Sequence, residues 1–78
     1  MEIAIDIKSP SHPYVQIADQ LRAAIASGEI TDLLPSLTEI TGQAGVAPNT
    51  VRRAIKILVD EGLVYTVPGR GTFVRRPG

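Results

Sequence analysis

The sequence predicts a domain of mainly α class with a small β-sheet, on two observations. Apolar residues recur at steps of three and four in three separate segments, which is the period of an amphipathic helix. Near the end, two β-branched segments flank the turn-rich sequence Pro68-Gly69-Arg70-Gly71, which predicts a hairpin. A chain of 78 residues suffices for one domain with a thin core, so we expect residues 1–78 to form a single unit.

The first part of the chain predicts a strand followed by a helix. Residues 2–7 alternate between isoleucine and a polar or small residue, which is the period of a strand. An apolar stripe at helical spacing begins at Tyr14, Pro13 suits the first helical turn, and Gly28 suits the position just past the last turn. We expect a first helix at about 13–27, and we expect the N-terminal strand to pair with the hairpin as a third strand that shields its edge.

A second helix follows a loop. Ser36 and Glu39 have the spacing of a capping box, in which the serine oxygen accepts from the third backbone N–H and the glutamate reaches back. This places the second helix at about 37–44. Residues 45–47 contain a glycine and form a short turn.

A third helix and the hairpin complete the order. Pro48 opens the helix and Gly62 ends it. The hairpin strands are predicted at about 63–67 and 72–74. The side chains expected to fill the core are Tyr14, Ile17, Leu21, Ile25, Leu37, Ile40, Val46, Val51, Ile55, Leu58, Leu63 and Phe73.

The composition excludes several classes of protein. The chain has no cysteine, which excludes disulfides, zinc–thiolate sites and cysteine nucleophiles, and one histidine, His12, does not make a histidine metal cluster. No apolar segment approaches the ~20 residues that span a bilayer, and no basic segment followed by an apolar one opens the chain. We expect a cytoplasmic protein with no membrane contact, no metal and no cofactor.

The formal net charge is zero, but the charges are segregated along the chain. Residues 1–50 carry two basic and six acidic residues, a net charge of −4, whereas residues 51–78 carry six basic and two acidic residues, a net charge of +4. A domain with this asymmetry can bind a polyanion with its basic part while its total charge stays neutral.

The second and third predicted helices, joined by a short turn with a glycine, have the arrangement of a helix-turn-helix. In that motif the second helix enters the DNA major groove, where arginine bonds guanine and asparagine bonds adenine. At about 100° per residue, four polar side chains share the face nearly opposite its apolar stripe, namely Asn49, Arg52, Arg53 and Lys56. A solvated surface is the competing interpretation, but such surfaces usually mix signs, and this stretch is purely cationic until Asp60.

The tip of the predicted hairpin carries one charged residue, Arg70, between Gly69 and Gly71. Glycine lets a backbone lie close to another surface, and a lone arginine on a slim tip suits the minor groove, whose negative potential attracts it. Taken alone, the tip is equally consistent with a turn that needs glycine. After a helix-turn-helix it is typical of a wing, so the sequence predicts a winged helix-turn-helix.

Several short segments carry a resemblance to a known family. They are Pro13-Tyr14-Val15-Gln16-Ile17-Ala18 with Gln20-Leu21, Ile25-Ala26-Ser27-Gly28, Leu34-Pro35-Ser36 with Glu39, Gly45-Val46, Asn49-Thr50-Val51-Arg52-Arg53-Ala54, Glu61-Gly62-Leu63-Val64 and Gly69-Arg70-Gly71-Thr72-Phe73-Val74. Through them the chain resembles the winged-helix DNA-binding domain of the GntR family of bacterial transcription regulators. The run Ala47-Pro48-Asn49-Thr50-Val51 most resembles the YtrA-type branch.

The resemblance implies that Thr50 and Arg52 contact the operator and that residues 69–71 reach the minor groove. It also implies binding as a dimer to an inverted repeat, usually as a repressor. The DNA contacts expected from the pattern and the resemblance together are Ser36, Thr38, Pro48, Asn49, Thr50, Arg52, Arg53, Lys56, Gly69, Arg70 and Gly71.

The chain departs from the family pattern in ways that remove DNA-contacting donors. Thr38 stands where the family often has an arginine, and Ala47-Pro48 replaces a serine or threonine followed by arginine. The loop before Leu34 is shorter and lacks the usual Pro-Gly pair. Family members generally continue into a second domain that binds an effector or holds the dimer, whereas this sequence stops at Gly78, so we expect no effector site within it.

Three other functions compete with DNA recognition. An enzyme is disfavoured because His12 has no partner spaced for a triad, and the consecutive Asp60 and Glu61 lie about 100° apart on a helix. RNA recognition is disfavoured because two tyrosines and one phenylalanine make a poor stacking platform. The main alternative is a winged helix that binds only proteins, since the total charge is neutral and Ile57 lies away from the predicted core.

Overall fold

The computed structural model describes residues 1–75, which form three helices and a two-stranded antiparallel sheet. In chain order the elements are α1 (Pro13–Ser27), α2 (Leu37–Ala44), α3 (Pro48–Asp60), β1 (Val64–Val67) and β2 (Gly71–Val74). α3 packs against α1, α2 and β1, so it is the centre of the fold. The predicted class, the positions of the three helices and the hairpin are confirmed.

α1 begins and ends where its proline and glycine predict. Pro13 occupies the first turn, where its missing N–H breaks no hydrogen bond. Gly28 follows in the left-handed region at φ 83°, and its N–H donates to the Ile25 carbonyl oxygen at 3.3 Å. The stripe that α1 buries consists of Ile17, Ala18, Leu21 and Ala24.

α2 is capped by the predicted serine. The Ser36 Oγ accepts from the Glu39 N–H at 3.1 Å, and such a cap stabilises a helix by about 1 kcal/mol relative to alanine. The Ser36 hydroxyl donates to the Glu39 carboxylate at 3.5 Å. The glutamate therefore reaches back to the hydroxyl, whereas in a full capping box it accepts from the backbone N–H.

The core lies between the helices and beneath β1. Its buried side chains come from every helix, from β1, from the loop between α1 and α2, and from the N-terminal segment. They are Ile3, Ile17, Ala18, Leu21, Ala24, Ile30, Leu34, Ile40, Val51, Ala54, Leu58 and Val64. Other predicted core residues are half-buried and pack against this cluster, namely Tyr14, Ile25, Leu37, Val46, Ile55 and Leu63. Phe73 is half-buried in β2.

The position of Ile57 corrects one expectation. Ile57 is half-buried and packs against the core, so the prediction that it faces away from the core is wrong. The physical reason is that α3 packs against three other elements, which cover its flanks as well as its apolar stripe.

The hairpin has a third neighbour, but not the predicted one. Tyr65 pairs with Phe73 in the antiparallel register of β1 and β2. Along the other edge of β2, the Leu34 N–H donates to the Thr72 carbonyl oxygen at 2.9 Å, and the Val74 N–H donates to the Asp32 carbonyl oxygen at 2.7 Å. The segment before α2 therefore shields the edge that the N-terminal strand was expected to shield.

The predicted N-terminal strand is wrong, because residues 1–6 form no strand and glutamine side chains hold them instead. The Ala4 N–H donates to the Gln20 Oε1 at 3.1 Å, and the Gln20 Nε2 donates to the Ala4 carbonyl oxygen at 2.7 Å. Gln16 makes the same two-way pairing with Asp6, at 2.8 and 3.1 Å. Side-chain amides of α1 thus replace the backbone of a partner strand.

An ion-paired arginine joins α1 to the end of α3. The Arg22 Nε and Nη2 donate to the Glu61 carboxylate at 2.8 and 2.7 Å, and Nη1 donates to Asp19 at 2.7 Å. The hydrogen bonds from Arg22 hold the pKa of Glu61 below its ordinary value. The bonds to Glu61 and then Asp19 raise the pKa of Arg22.

This pairing gives the stability of the fold a dependence on pH. A carboxylate whose pKa falls on folding stabilises the folded state above its unfolded pKa, and the contribution is lost as the pH falls through the folded pKa. We expect Glu61→Gln to lower the melting temperature at neutral pH and to have a much smaller effect near pH 2, as followed by circular dichroism. A loss of equal size at both pH values would show that the Glu61 charge is not what stabilises.

Candidate nucleic-acid interface

The outer face of α3 carries the four predicted polar side chains together. Val51, Ala54 and Leu58 are 0% exposed and turn one face of α3 to the core. The opposite face is exposed and consists of Asn49, Arg52, Arg53 and Lys56. We call these four residues the α3 outer face. Thr50, between them and the core, is half-buried.

Two residues of the α3 outer face are hydrogen-bonded to each other. The Arg52 Nη1 donates to the Asn49 Oδ1 at 3.0 Å. This bond orients the guanidinium along the first turns of α3 and leaves its other N–H groups free to donate. It also occupies the amide oxygen of Asn49, the atom that would accept from adenine. In this arrangement Arg52 and Asn49 present N–H donors, which suit the acceptor atoms of guanine.

Lys56 has an acidic neighbour one turn later. The Lys56 Nζ lies 3.3 Å from the Asp60 Oδ2, and both side chains are well exposed, at 74% and 63%. An exposed pair at this spacing contributes about 0.3–0.5 kcal/mol, so a phosphate group can compete for the ammonium. Asp60 is therefore a negative charge beside the α3 outer face.

Arg53 contacts a different element from Arg52 and Lys56. Its guanidinium Cζ lies 4.2 Å from the centroid of the Tyr14 ring, near the start of α1. His12 stacks with the same ring, with centroids 5.6 Å apart. This contact was not predicted from the sequence, which indicated only a core position for Tyr14.

Three further predicted contacts lie at the starts of α2 and α3, and all three are exposed. Ser36 is exposed, but its oxygen already caps α2. Thr38 and Pro48 are exposed at the starts of α2 and α3. Ser36 therefore offers little beyond its cap, while Thr38 and Pro48 stay accessible.

The tip of the wing is a tight turn that presents Arg70. The Arg70 N–H donates to the Val67 carbonyl oxygen at 3.0 Å, and Gly69 has φ 77°. A proline followed by a glycine of positive φ is typical of a type II turn. Arg70 is exposed, and within residues 1–75 its side chain makes no hydrogen bond or ion pair. The tip therefore holds an unengaged cation.

A cleft of about 440 Å³ separates α3 from the wing. Arg52 and Lys56 line the α3 side, and Thr66 and Thr72 line the wing side. The two threonine hydroxyls lie 3.3 Å apart across the strands. Leu37, Ile55, Val59 and Asp60 complete the lining. The cleft thus has two cations and one carboxylate on its α3 side and two hydroxyls on its wing side.

The described residues were compared with the requirements of a metal site, a carboxylate pair and a membrane span. Within residues 1–75 no group of three or more His, Asp or Glu side chains is placed to hold a metal ion. Asp60 and Glu61 lie in separate ion pairs, with Lys56 and Arg22, so they do not act as a carboxylate pair. No helix in the described part of the chain is long and apolar enough to cross a membrane.

These features define the class of protein. α2, α3 and the turn between them are a helix-turn-helix, and the β1–β2 hairpin is a wing beside its second helix. The sequence model of the bacterial regulatory proteins of the gntR family matches residues 13–74. The chain belongs to this family, as the sequence motifs predict.

The sequence identity of the chain to individual regulators agrees with its membership of the gntR family. The chain is 47% identical over 75 residues to the HTH-type transcriptional repressor NagR of Bacillus subtilis (strain 168). The match covers 94% of this chain and 31% of that repressor, so the chain spans less than a third of the length of this curated relative.

Solved structures show the same fold. YtrA from Sulfolobus acidocaldarius, a GntR-family transcription factor, superimposes with a TM-score of 0.87 at 39% identity, over 100% of this chain and 84% of that one. AraR(DBD) in complex with operator ORX1 superimposes with a TM-score of 0.84 at 32% identity, over 95% and 96% of the two chains. The likeness to a YtrA protein agrees with the predicted branch.

Proposed function

We propose that the chain is the DNA-binding part of a transcriptional repressor and binds an inverted-repeat operator as a dimer. In this proposal α3 enters the major groove and the wing tip enters the adjacent minor groove. The proposal rests on the cleft between α3 and the wing, which Arg52 and Lys56 of the α3 outer face line, and on a neighbouring pocket that shares Thr72 with this cleft and is lined by Arg70. The polar side chains of the cleft are cationic or neutral donors apart from Asp60, which lines the cleft together with the apolar residues Leu37, Ile55 and Val59.

The residues of α3 divide into base and phosphate contacts. Arg52 reads a base, and Asn49 supports it through the 3.0 Å hydrogen bond. The donors of this pair favour guanine, which presents two acceptors in the major groove. Lys56 and Arg53 contact phosphates, and Thr50 contacts a phosphate at the start of the helix.

The wing supplies the second contact. Arg70 reaches into the minor groove, where a narrow A·T-rich segment has the strongest negative potential. Gly69 and Gly71 let the backbone approach, and Gly71 also has φ 129°, which side chains rarely adopt. The DNA strand between the two grooves then lies along the cleft, beside Thr66 and Thr72.

The comparisons support the repressor role and the DNA target. NagR is named a repressor, and AraR(DBD) is described in complex with an operator. We assign residues 1–78 to one DNA-binding domain, with no catalytic residue, cofactor or effector site in it. A protein with a chromosomal target acts in the bacterial cytoplasm.

No specific observation favours the alternative function, in which the winged helix binds a protein and does not bind DNA. This alternative was based on an Ile57 side chain that faces away from the core, but Ile57 packs against the core. The other argument, a neutral total charge, does not describe the α3 outer face.

The proposal is tested with the purified chain and duplex DNA. Affinity should fall steeply as salt rises, because each phosphate contact releases counterions. Selection from a random duplex pool should recover two half-sites about one helical turn, or a multiple of it, apart. On the recovered site Arg52→Ala should weaken binding by roughly 1–3 kcal/mol. A chain that binds no duplex at low salt, or that enriches no sequence, contradicts the proposal.

The proposed contact between Arg70 and the minor groove predicts that Arg70→Ala lowers DNA affinity by an amount that depends on the DNA sequence. Affinity measured by fluorescence anisotropy should fall mainly on operators with A·T-rich flanks, since the minor groove there attracts arginine most strongly. Arg75→Ala, at the base of the wing, is the matched control and should show no such dependence. An equal loss for Arg70→Ala on every flank would make Arg70 a generic phosphate contact.

Asp60 should weaken DNA binding in the natural chain. Asp60→Asn frees the Lys56 ammonium and removes a charge that repels phosphate, so affinity should rise roughly two- to threefold at low salt and less at high salt. Glu29→Gln removes an equal charge in the loop after α1 and serves as the control. If the DNA affinity of both variants rises equally, the effect comes from net charge, and the Lys56–Asp60 pair has no special role.

A further inference from the structure

The stack of Arg53 on Tyr14 has a consequence for the α3 outer face. The Arg53 guanidinium lies 4.2 Å above the Tyr14 ring, a separation typical of a cation–π contact. The ring is half-buried and packs against the core, and His12 stacks with it at 10° between the planes. An exposed arginine of α3 is thus held on a platform that α1 provides.

The platform places Arg53 apart from the other cations of α3. Arg52 and Lys56 line the cleft toward the wing, whereas Arg53 lies toward α1. A helix in the major groove has a phosphate strand on each side. Arg52 and Lys56 therefore lie toward the strand between the groove and the wing, and Arg53 lies toward the other strand.

A free arginine side chain loses considerable rotamer entropy when it binds. Stacking on a ring fixes the guanidinium before DNA arrives, and it leaves the N–H groups at the edge of the plane free to donate to a phosphate. Part of the conformational entropy of the Arg53 side chain is then already lost in the folded protein, so less is lost when DNA binds. This is the physical advantage of the platform.

We propose that Tyr14 is a positioning residue, which holds the Arg53 guanidinium for a phosphate on the strand that lies away from the wing. This inference rests on the proposed DNA binding and adds a residue of α1 to it. The ring does the positioning, so the phenol hydroxyl is dispensable. Arg53 makes the contact, and Tyr14 acts only through Arg53.

The experiment is a double-mutant cycle on the full 78-residue chain, with a fluorescein-labelled duplex of mixed sequence as the probe. Tyr14→Leu should weaken binding roughly two- to fivefold, the range of a cation–π contact at an exposed site. Tyr14→Phe should bind as the natural chain does. On an Arg53→Ala background, Tyr14→Leu should cause no further loss, because the group that Tyr14 positions is gone.

Salt dependence adds a readout that a change in fold stability does not move. Arg53→Ala should reduce the slope of log affinity against log salt by about one phosphate contact. Tyr14→Leu should leave that slope nearly unchanged, since Arg53 keeps its charge. Tyr65→Leu is the matched control, because Tyr65 lies under Arg75 at a looser 5.5 Å on the wing, and it should bind as the natural chain does.

Each outcome decides for or against the proposal. A loss on Tyr14→Phe would assign the contact to the hydroxyl and overturn the positioning role. If Tyr14→Leu weakens DNA binding by the same factor on the Arg53→Ala background as on the unsubstituted chain, then Tyr14 is an independent contact or a structural residue. A natural chain that binds no duplex overturns the proposed function, whereas a natural chain that binds and a Tyr14→Leu variant that matches it overturn this inference alone.

Discussion

The burial of one side of α3 is the constraint on which the rest of the structure depends. Val51 and Leu58 are fully buried, and burying such a side chain stabilises a fold by about 1.5–3 kcal/mol. An exposed ion pair contributes less than about 1 kcal/mol. A rotation of α3 by one residue would bring Arg52 into the core, where an unpaired charge is very costly. The orientation of the α3 outer face therefore follows from the apolar face, and the surface charges have little part in it.

The wing depends on a second constraint, which lies in the loop before α2. Leu34 and Asp32 bond the free edge of β2, and a Cβ at Gly71 would lie 3.0 Å from the Leu33 Cδ1. A glycine at this position lets the loop lie close to the hairpin. The bonds from Leu34 and Asp32 tie the hairpin that carries Arg70 to the loop before α2, and so connect the wing to the helices.

The helices were predictable from the sequence because each combines an apolar period with a residue that marks its start. Pro13, Ser36 and Pro48 lie where the structure begins α1, α2 and α3. The N-terminal strand was not predictable in the same way. Alternation indicates an extended backbone with one buried side, and Ile3 is indeed 2% exposed. It does not indicate whether a strand or the side chain of Gln20 supplies the hydrogen bonds.

The candidate site was predictable where it depends on a single helix. Helical geometry places Asn49, Arg52 and Lys56 on one side of α3, and the structure exposes all three. Contacts between elements need the packing of α1 against α3, which periodicity does not contain. The Arg53 contact with Tyr14 belongs to this second kind. The roles of the individual side chains on DNA stay predictions.

In the proposed function the α3 outer face and the wing tip form one surface for a duplex. Chemical-shift mapping of the ¹⁵N-labelled chain during titration with a duplex tests it most directly, because every amide reports its own surroundings. We expect the perturbed amides to lie in α3 from Asn49 to Lys56 and in the tip from Gly69 to Gly71. Perturbations confined to the acidic first half of the chain, or to no region, would contradict it.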